Sequence, residues 1–342
     1  MRRLNLCVGF VLCCLGFNAQ AQQDTLDIYW IDVEGGAATL LVTPEGESVL
    51  MDAGYSRPDD AHAKRVVAAM EDAGIDGLDF FIASHFHGDH VGGSAALGHL
   101  VQIGEFIDHG ESVEQTTERG QPAWEAYLAA TATGTRRSPS PVRPGDILPL
   151  RGVDFTIVSS NREVPHSPLD PQGPNALCQD ADPGPEDAGE NSRSVGYMVT
   201  LGDFQFLNLG DLTFGGQHAL ACPENLIGVV DLMQIPHHGN GIAPQLMSAL
   251  GATAAVSSTG ARKGGSPEGY EAMAAVPGIE GIWQLHLALG TDAAHNTSEL
   301  MIANLTEEND EGFWIKAEVQ PDGSSYTIIN GRNQHRETYT TK

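Results

Sequence analysis

The stretch Ser84-His85-Phe86-His87-Gly88-Asp89-His90 places three imidazoles and one carboxylate side by side. Histidine nitrogen and carboxylate oxygen are donors that suit zinc and also accept iron or manganese, so such a dense run points to a metal site. The apolar run Leu78 to Ala83 comes just before it and reads as a strand. If that strand ends near Ser84, His85 and His87 leave the chain on the same side, because side chains alternate along extended backbone. The two can then share one ion. Gly88 permits a sharp turn, after which Asp89 and His90 can face a second ion beside the first.

A metal centre of this kind needs donors from more than one loop, and two other strand ends offer them. Phe206 to Leu209 is an apolar run closed by Gly210-Asp211, which puts the Asp211 carboxylate at a sheet edge where it can bridge two ions. Asp231 to Ile235 is another such run, followed by Pro236-His237-His238-Gly239; alternation does not decide which of His237 and His238 is the ligand. The loop Arg262-Lys263-Gly264-Gly265-Ser266-Pro267 is basic and glycine-rich, and its cations and exposed amides suit an anionic substrate group. His62, His99 and His218 fall on or near expected helices and read as surface or core residues, while His109, after a strand, is ambiguous.

The elements that must position these groups follow an α/β alternation. Leu26 to Val33, Thr39 to Val42 and Ser48 to Met51 read as strands joined by turns, and Pro58 to Ala73 as a helix stopped by Gly74. After the histidine-bearing strand come a helix over Ser94 to Leu100, a strand over Gly104 to Asp108 and a helix over Pro122 to Thr131. Strands are expected at Val195 to Leu201, Phe204 to Leu209, Val229 to Ile235 and Ala252 to Ser257, with helices around Gln217 and Gln245. Phe313 to Gln320 and Ser325 to Asn330 flank Pro321-Asp322-Gly323 and predict a C-terminal hairpin over about 313–330. Ser138 to Pro144 reads as a proline-rich loop, and the Pro-, Asp- and Gly-dense stretch at about 161–190 as an insertion or lid within a single domain, 22–342.

Arg2 and Arg3, the apolar run Leu4 to Phe17 and Ala19-Gln20-Ala21 have the form of a secretory signal over residues 1–21, so the expected location is periplasmic or secreted. The apolar run is shorter than the roughly 20 residues that span a bilayer, and no membrane span is expected after cleavage. Cleavage leaves two cysteines, Cys178 and Cys222, which in an exported chain predict one disulfide worth roughly 4 kcal/mol in the chain-entropy model. The formal charge of -27 repels long polyanions over a Debye length of about 8 Å. A small-molecule substrate fits this balance better than a stable nucleic-acid partner.

The segment IASHFHGDHVGG, preceded by VLMDAG at 49–54 and followed by FLNLGD and IPHHG, resembles the metallo-β-lactamase-fold hydrolase superfamily from about Asp27 to Trp283. It is similar in particular to the extracellular hydrolase domain of competence DNA-uptake channel proteins, which share the late His-His-Gly and an Asn-x-x-Ser pattern, here Asn191 to Ser194. The resemblance implies a four-layer αββα sandwich with a dinuclear site at the sheet edge, in the α/β class. It implies zinc, two ions, with His85 and His87 on the first, Asp89 and His90 on the second, Asp211 bridging, and one of His237 and His238 completing the second. Asp52 resembles the aspartate that orients ligating imidazoles from the preceding strand. The family's middle histidine is missing from Glu190-Asn191-Ser192-Arg193-Ser194, and Glu190, Asn191 or His166 is left to fill its place. His286 lies where the superfamily often has an additional site residue.

These implications amount to a metal-dependent hydrolase in which zinc lowers the pKa of its bound water toward about 7 and Asp89 and Asp211 orient the nucleophile. The competence likeness favours a small phosphodiester. Lactones, thioesters and β-lactams are the acyl alternatives, and a non-catalytic metal-containing binding protein is the competing class.

Overall fold

The computed structural model describes residues 24–136, 141–308 and 311–342. The expected signal segment and part of the proline-rich loop lie outside the described residues. The chain opens with strands β1 (Leu26–Trp30), β2 (Thr39–Val42) and β3 (Ser48–Met51), helix α1 (Ala61–Asp72) and strand β4 (Gly77–Ile82). Helices α2 (Gly88–Val91) and α3 (Ser94–Leu100), strand β5 (Gln102–Ile107), helix α4 (Gln121–Thr131) and strand β6 (Thr135–Arg136) complete this part.

Strands β7 (Ile147–Leu148), β8 (Asp154–Ser159), β9 (Gly196–Leu201) and β10 (Phe204–Asn208) begin a second sheet. It continues through α5 (Phe214–Ala221), β11 (Leu232–Gln234), α6 (Pro244–Leu250), β12 (Ala254–Ser257), α7 (Pro267–Ala274), β13 (Gly281–His286) and β14 (Ile302–Asn304). Strands β15 (Ile315–Val319), β16 (Ser325–Asn330) and β17 (Arg336–Thr340) return to the first sheet. The strand orders are β17-β16-β15-β1-β2-β3-β4-β5-β6 and β14-β13-β12-β11-β10-β9-β8-β7.

The sequence folds into layers because its strands are apolar on both faces. In β1, Ile28 and Trp30 point between the sheets, while Tyr29 packs with the α1 to α4 layer. In β10, Phe204 and Phe206 face inward and Leu207 faces the layer of α5 to α7. Trp30 meets Phe206 edge-on across the sandwich at 5.5 Å, a geometry worth about 1 kcal/mol beyond area burial. The result is an αββα arrangement whose two sheets sandwich the main core, as expected.

Each sheet changes from antiparallel to parallel pairing part-way across. The pairs β3/β4, β4/β5, β10/β11, β11/β12 and β12/β13 are parallel. Parallel strands collect their carboxyl ends along one edge, which is where open α/β sheets bind ligands. Buried polar side chains join the sheets just below that edge: Thr39 Oγ1 and Asn208 Nδ2 both donate to Gln234 Oε1, at 2.7 and 3.0 Å.

Several boundaries differ from expectation. Asp59 and Asp60 adopt φ 55°, so Pro58–Asp60 forms only a tight turn and the α-helix proper starts at Ala61. The expected hairpin at about 313–330 gains a third strand, β17, whose alternation of polar residues on a half-exposed edge gave a weak signal. The stretch at 161–190 has a single short helical turn, Ala176–Cys178, among its described elements. The disulfide Cys178–Cys222 is present, with Cα atoms 5.5 Å apart, and ties this stretch to the end of α5. No helix among the described residues is long and apolar enough to cross a membrane.

Candidate metal centre

The chemistry-bearing side chains sit just past the ends of parallel strands: Asp52 after β3, His85 to His90 after β4, Asp211 after β10, and His237-His238 after β11. Close approach of the sheets here requires glycine. Gly210 has φ +55°, and a Cβ on it would stand 2.9 Å from Ser84 Cβ. The neighbouring backbone bond from Val195 N–H to the Ser84 carbonyl, 2.8 Å, fixes the histidine loop to the second sheet.

Asp89, His90, Asp211 and His238 form one buried group whose donor atoms all lie within 4.8 Å of one another. His90 Nε2 is 3.2 Å from Asp211 Oδ2, 3.3 Å from Asp89 Oδ2 and 3.3 Å from His238 Nε2. His238 Nε2 is 3.3 Å from the same Asp211 oxygen and 3.4 Å from the same Asp89 oxygen. Both imidazoles are aimed from behind. The Asp52 carboxylate accepts from His90 Nδ1 at 2.7 Å, and the Ser258 carbonyl accepts from His238 Nδ1 at 3.0 Å. Each bond keeps the proton on Nδ1 and leaves the Nε2 lone pair facing the cluster. Asp52, itself at φ 64°, is held by the Ser84 amide at 2.8 Å and the Ser84 hydroxyl at 2.7 Å.

The electrostatics follow from burial opposed by partners. Burial works against the Asp89 and Asp211 carboxylates, yet His90 and His238 hold both well below the usual carboxylate range. Burial likewise disfavours charge on His90 and His238, and the Asp211 and Asp89 carboxylates override it and raise both imidazoles. A cation entering this group displaces protons from the imidazoles, so its affinity falls as pH falls.

His85 and His87 lie beside the cluster, with His85 Nε2 3.0 Å from His87 Nδ1 and 4.0 Å from Asp211 Oδ2. Burial and the neighbouring His90 push His85 well below its ordinary value, which keeps it neutral and fit to ligate. The expected candidates for a third partner behave differently. Glu190 is fully buried and occupied: its carboxylate accepts from Phe86 N at 3.1 Å, His109 Nε2 at 3.0 Å, Ser112 Oγ at 2.7 Å and Val113 N at 2.6 Å. With four donors already on it, Glu190 is a brace for the histidine loop rather than a ligand, and it gives His109 a role as well. His166 is exposed on the 161–190 stretch, with no hydrogen bond or ion pair to the cluster among the described residues. Asn191 donates from Nδ2 to His237 Nε2 at 3.0 Å.

That bond also separates the histidine pair. His237 and His238 both have positive φ, 49° and 52°, which turns consecutive side chains apart. His238 enters the four-residue group; His237, expected as its equal, stays outside on Asn191.

Of the expected substrate-binding residues, Lys263 reaches the cluster through an ion pair with Asp89. Arg262 is exposed and paired twice with Glu307. His286 is buried on Asp32 at 3.1 Å, and Asp32 in turn meets Arg65 at 3.1 Å. Sequence reasoning missed Tyr55 and Arg57. Their signal was position, directly after the Asp52-Ala53-Gly54 turn. His62 is buried, as a core residue, with Nδ1 accepting from the Tyr55 amide.

The donor set of two imidazoles and two carboxylates, buried and converging, fits a divalent ion of the zinc, iron or manganese kind. Comparison with known proteins bears on the first two of these donors, Asp89 and His90, and not on Asp211 or His238. A family model described as the Metallo-beta-lactamase superfamily matches residues 31–183, somewhat less than half of the chain and including His85 to His90. That match supports membership of the superfamily. The two-sheet sandwich described above is consistent with that superfamily's fold, and the fold implies divalent metal binding.

Among solved structures, the chain is similar to a metallo-beta-lactamase with a HARLDQ motif from Cronobacter sakazakii, at 18% identity over 54% of this chain and 60% of that one, with TM-score 0.35. It is similar to MEM-A1, a subclass B3 metallo-beta-lactamase from a soil metagenome library, at 13% identity over 62% and 78%, with TM-score 0.39. A variant of the CmlA beta-hydroxylase aligns at 13% identity over 68% and 46%, with TM-score 0.41. The chain spans less than two thirds of the Cronobacter enzyme's length, and scores this low carry no argument about activity. No curated protein matches the sequence.

Proposed function

We propose that this chain is an exported metal-dependent hydrolase acting on a small phosphodiester, with its tightly held ion at Asp89, His90, Asp211 and His238. The observation that carries the reading is the convergence of these four buried donors within 4.8 Å. His85 and His87 offer a second, weaker position that shares Asp211. Zinc is the favoured ion, and iron or manganese meets the same donor set.

When bound, a divalent ion supplies Lewis acidity for the scissile group and makes water acidic enough to attack near neutral pH. The protein does the rest. Asp52 and the Ser258 carbonyl fix the two imidazoles, and His90 and His238 keep Asp89 and Asp211 ionised, ready to hold the ion and orient a nucleophile. Burial of all four groups excludes competing water and strengthens each electrostatic contact. Lys263 stands next to Asp89 and favours an anionic substrate, so a phosphodiester suits the site better than a neutral acyl compound. The acidic chain, at -27, favours a small anion over a polymer. The likeness to the hydrolase domain of competence DNA-uptake channel proteins agrees with a phosphodiester, and the disulfide agrees with export.

A panel of bis(p-nitrophenyl) phosphate, a lactone and a chromogenic cephalosporin tests this. The reading expects turnover of the phosphate ester that chelation abolishes and added zinc restores. Hydrolysis of the lactone or cephalosporin alone would move the chain to acyl chemistry, and turnover that survives chelation would end the metal-dependent reading.

A further inference from the structure

Beside the metal centre, a cavity of about 220 Å³ is lined by Glu34, Arg57, Lys263 and His286, with Arg262 and Glu307 at its mouth. Its wall forms where loops from the two sheets touch. A Cβ on Gly35 would stand 2.9 Å from Lys263 Cβ, and one on Gly260 would stand 2.7 Å from the Glu34 backbone, so only glycine allows this closeness. The Tyr55 ring gathers two cations here: the Arg57 guanidinium carbon lies 4.5 Å and Lys263 Nζ 5.5 Å from its centroid. Two like charges on one ring repel, and the ring's negative face offsets that only in part. In a chain with 18 basic and 45 acidic residues such a concentration of cations stands out, and each of them has a carboxylate partner that a ligand anion must replace or join.

The anions already nearby are weakly committed or required elsewhere. Glu34 is shared between Arg57 at 3.1 Å, Arg65 at 3.6 Å and His62 at 3.5 Å, and its pair with Arg57 joins two side chains that are each more than a third exposed, a kind of pair that contributes little. Asp89 pairs with Lys263 and is also one of the four metal donors. A carboxylate engaged by a metal is a poorer partner for the ammonium, which frees Lys263 for another anion. Arg262 differs, because its two bonds to Glu307 make it a rim residue. At the floor, His286 is held by Asp32, and its Nδ1 has no hydrogen-bond partner among the described residues.

We propose that this cavity is a subsite for a terminal phosphate carried by the substrate, held by Arg57 and Lys263, so that preferred phosphodiesters bear a second, unesterified phosphate. The inference deepens the phosphodiester reading and rests on it for the identity of the scissile group. A terminal phosphate has enough oxygens to accept from both cations at once, and its second negative charge outcompetes Glu34 for Arg57.

Two measurements test it. The first compares the p-nitrophenyl ester of thymidine 5′-phosphate with the same ester carrying a 3′-phosphate. KM is expected to be about tenfold lower for the 3′-phosphorylated compound, and Arg57→Gln or Lys263→Gln is expected to bring the ratio of the two KM values close to one. The second measures thermal unfolding of the zinc-loaded protein, freed of excess zinc, with and without inorganic phosphate at fixed ionic strength, expecting a rise in Tm that Arg57→Gln removes. Equal KM values in the unsubstituted protein, or a preference that survives both substitutions, would overturn the subsite. If neither ester is hydrolysed but phosphate still raises Tm through Arg57, the phosphodiester reading fails and the subsite stands. If both esters are hydrolysed equally and phosphate has no effect, the subsite fails and the hydrolase reading stands.

Discussion

The two halves of the metal centre are built from adjacent residues of one loop, yet they differ in completeness. On one side, Asp89 and His90 meet Asp211 and His238 from the second sheet, and both imidazoles are braced by a carboxylate or carbonyl behind them. On the other, His85 has the Ser84 hydroxyl at 3.0 Å and lies 4.0 Å from Asp211, His87 meets His85 at 3.0 Å and Glu114 at 3.6 Å, and Glu190, one of the residues left to fill the place of the missing histidine, is taken up by four hydrogen bonds. The number of converging donors therefore separates a strong position from a weak one, although the sequence presents both in the same seven residues.

Substitutions can break this asymmetry, and they rank by how directly they touch the strong position. Asp211→Ala and His238→Ala remove donors and leave buried partners unpaired, so both are expected to lose the tight ion and lower turnover by orders of magnitude, read by metal analysis and steady-state kinetics. Asp52→Ala leaves all donors in place but frees His90 to rotate and change tautomer; metal affinity is expected to fall by about 10–100-fold, measured by competition with a chelating dye.

Glu190→Gln probes the brace on the weak side through pH. Burial opposes its charge, but the His109, Ser112 and Phe86 donors win and push its carboxyl down to about 2 from an ordinary 4.5. The folded state therefore binds fewer protons than the unfolded one between these values. The contribution, about 3 kcal/mol, is fully present above pH 4.5 and lost as pH falls toward 2. Acid unfolding followed by circular dichroism should show this loss in the unsubstituted protein and a flatter profile in Glu190→Gln, which should keep the tight ion at neutral pH. The smallest effect is expected for His87→Ala, which should remove a weaker second equivalent of metal and leave the first as tightly bound as before.

Much of this was legible in the sequence for a physical reason: each important strand is a short apolar run that ends in a polar ligand, and both features are local. The β4 and β10 runs, Asp211, the histidine cluster and the supporting Asp52 follow from that pattern. What was illegible depends on contacts between distant segments. The choice between His237 and His238 rests on the left-handed backbone at both residues, and the fate of Glu190 rests on a loop at 109–113 far away in sequence. Arg57 had only its position after the Asp52-Ala53-Gly54 turn as a signal, since its place beside Lys263 comes from sharing the Tyr55 ring. Strand β14 escaped notice because it has only three residues, and β13, buried along its whole length, lacks the alternation that marks a half-exposed strand.

The central claim is that one ion is held tightly by Asp89, His90, Asp211 and His238. Its most direct test is a metal titration of the chelator-treated protein alongside His238→Ala and His87→Ala. The account predicts one tight equivalent in the unsubstituted protein that His87→Ala keeps and His238→Ala loses. Retention of the tight equivalent in His238→Ala, together with its loss in His87→Ala, would contradict it.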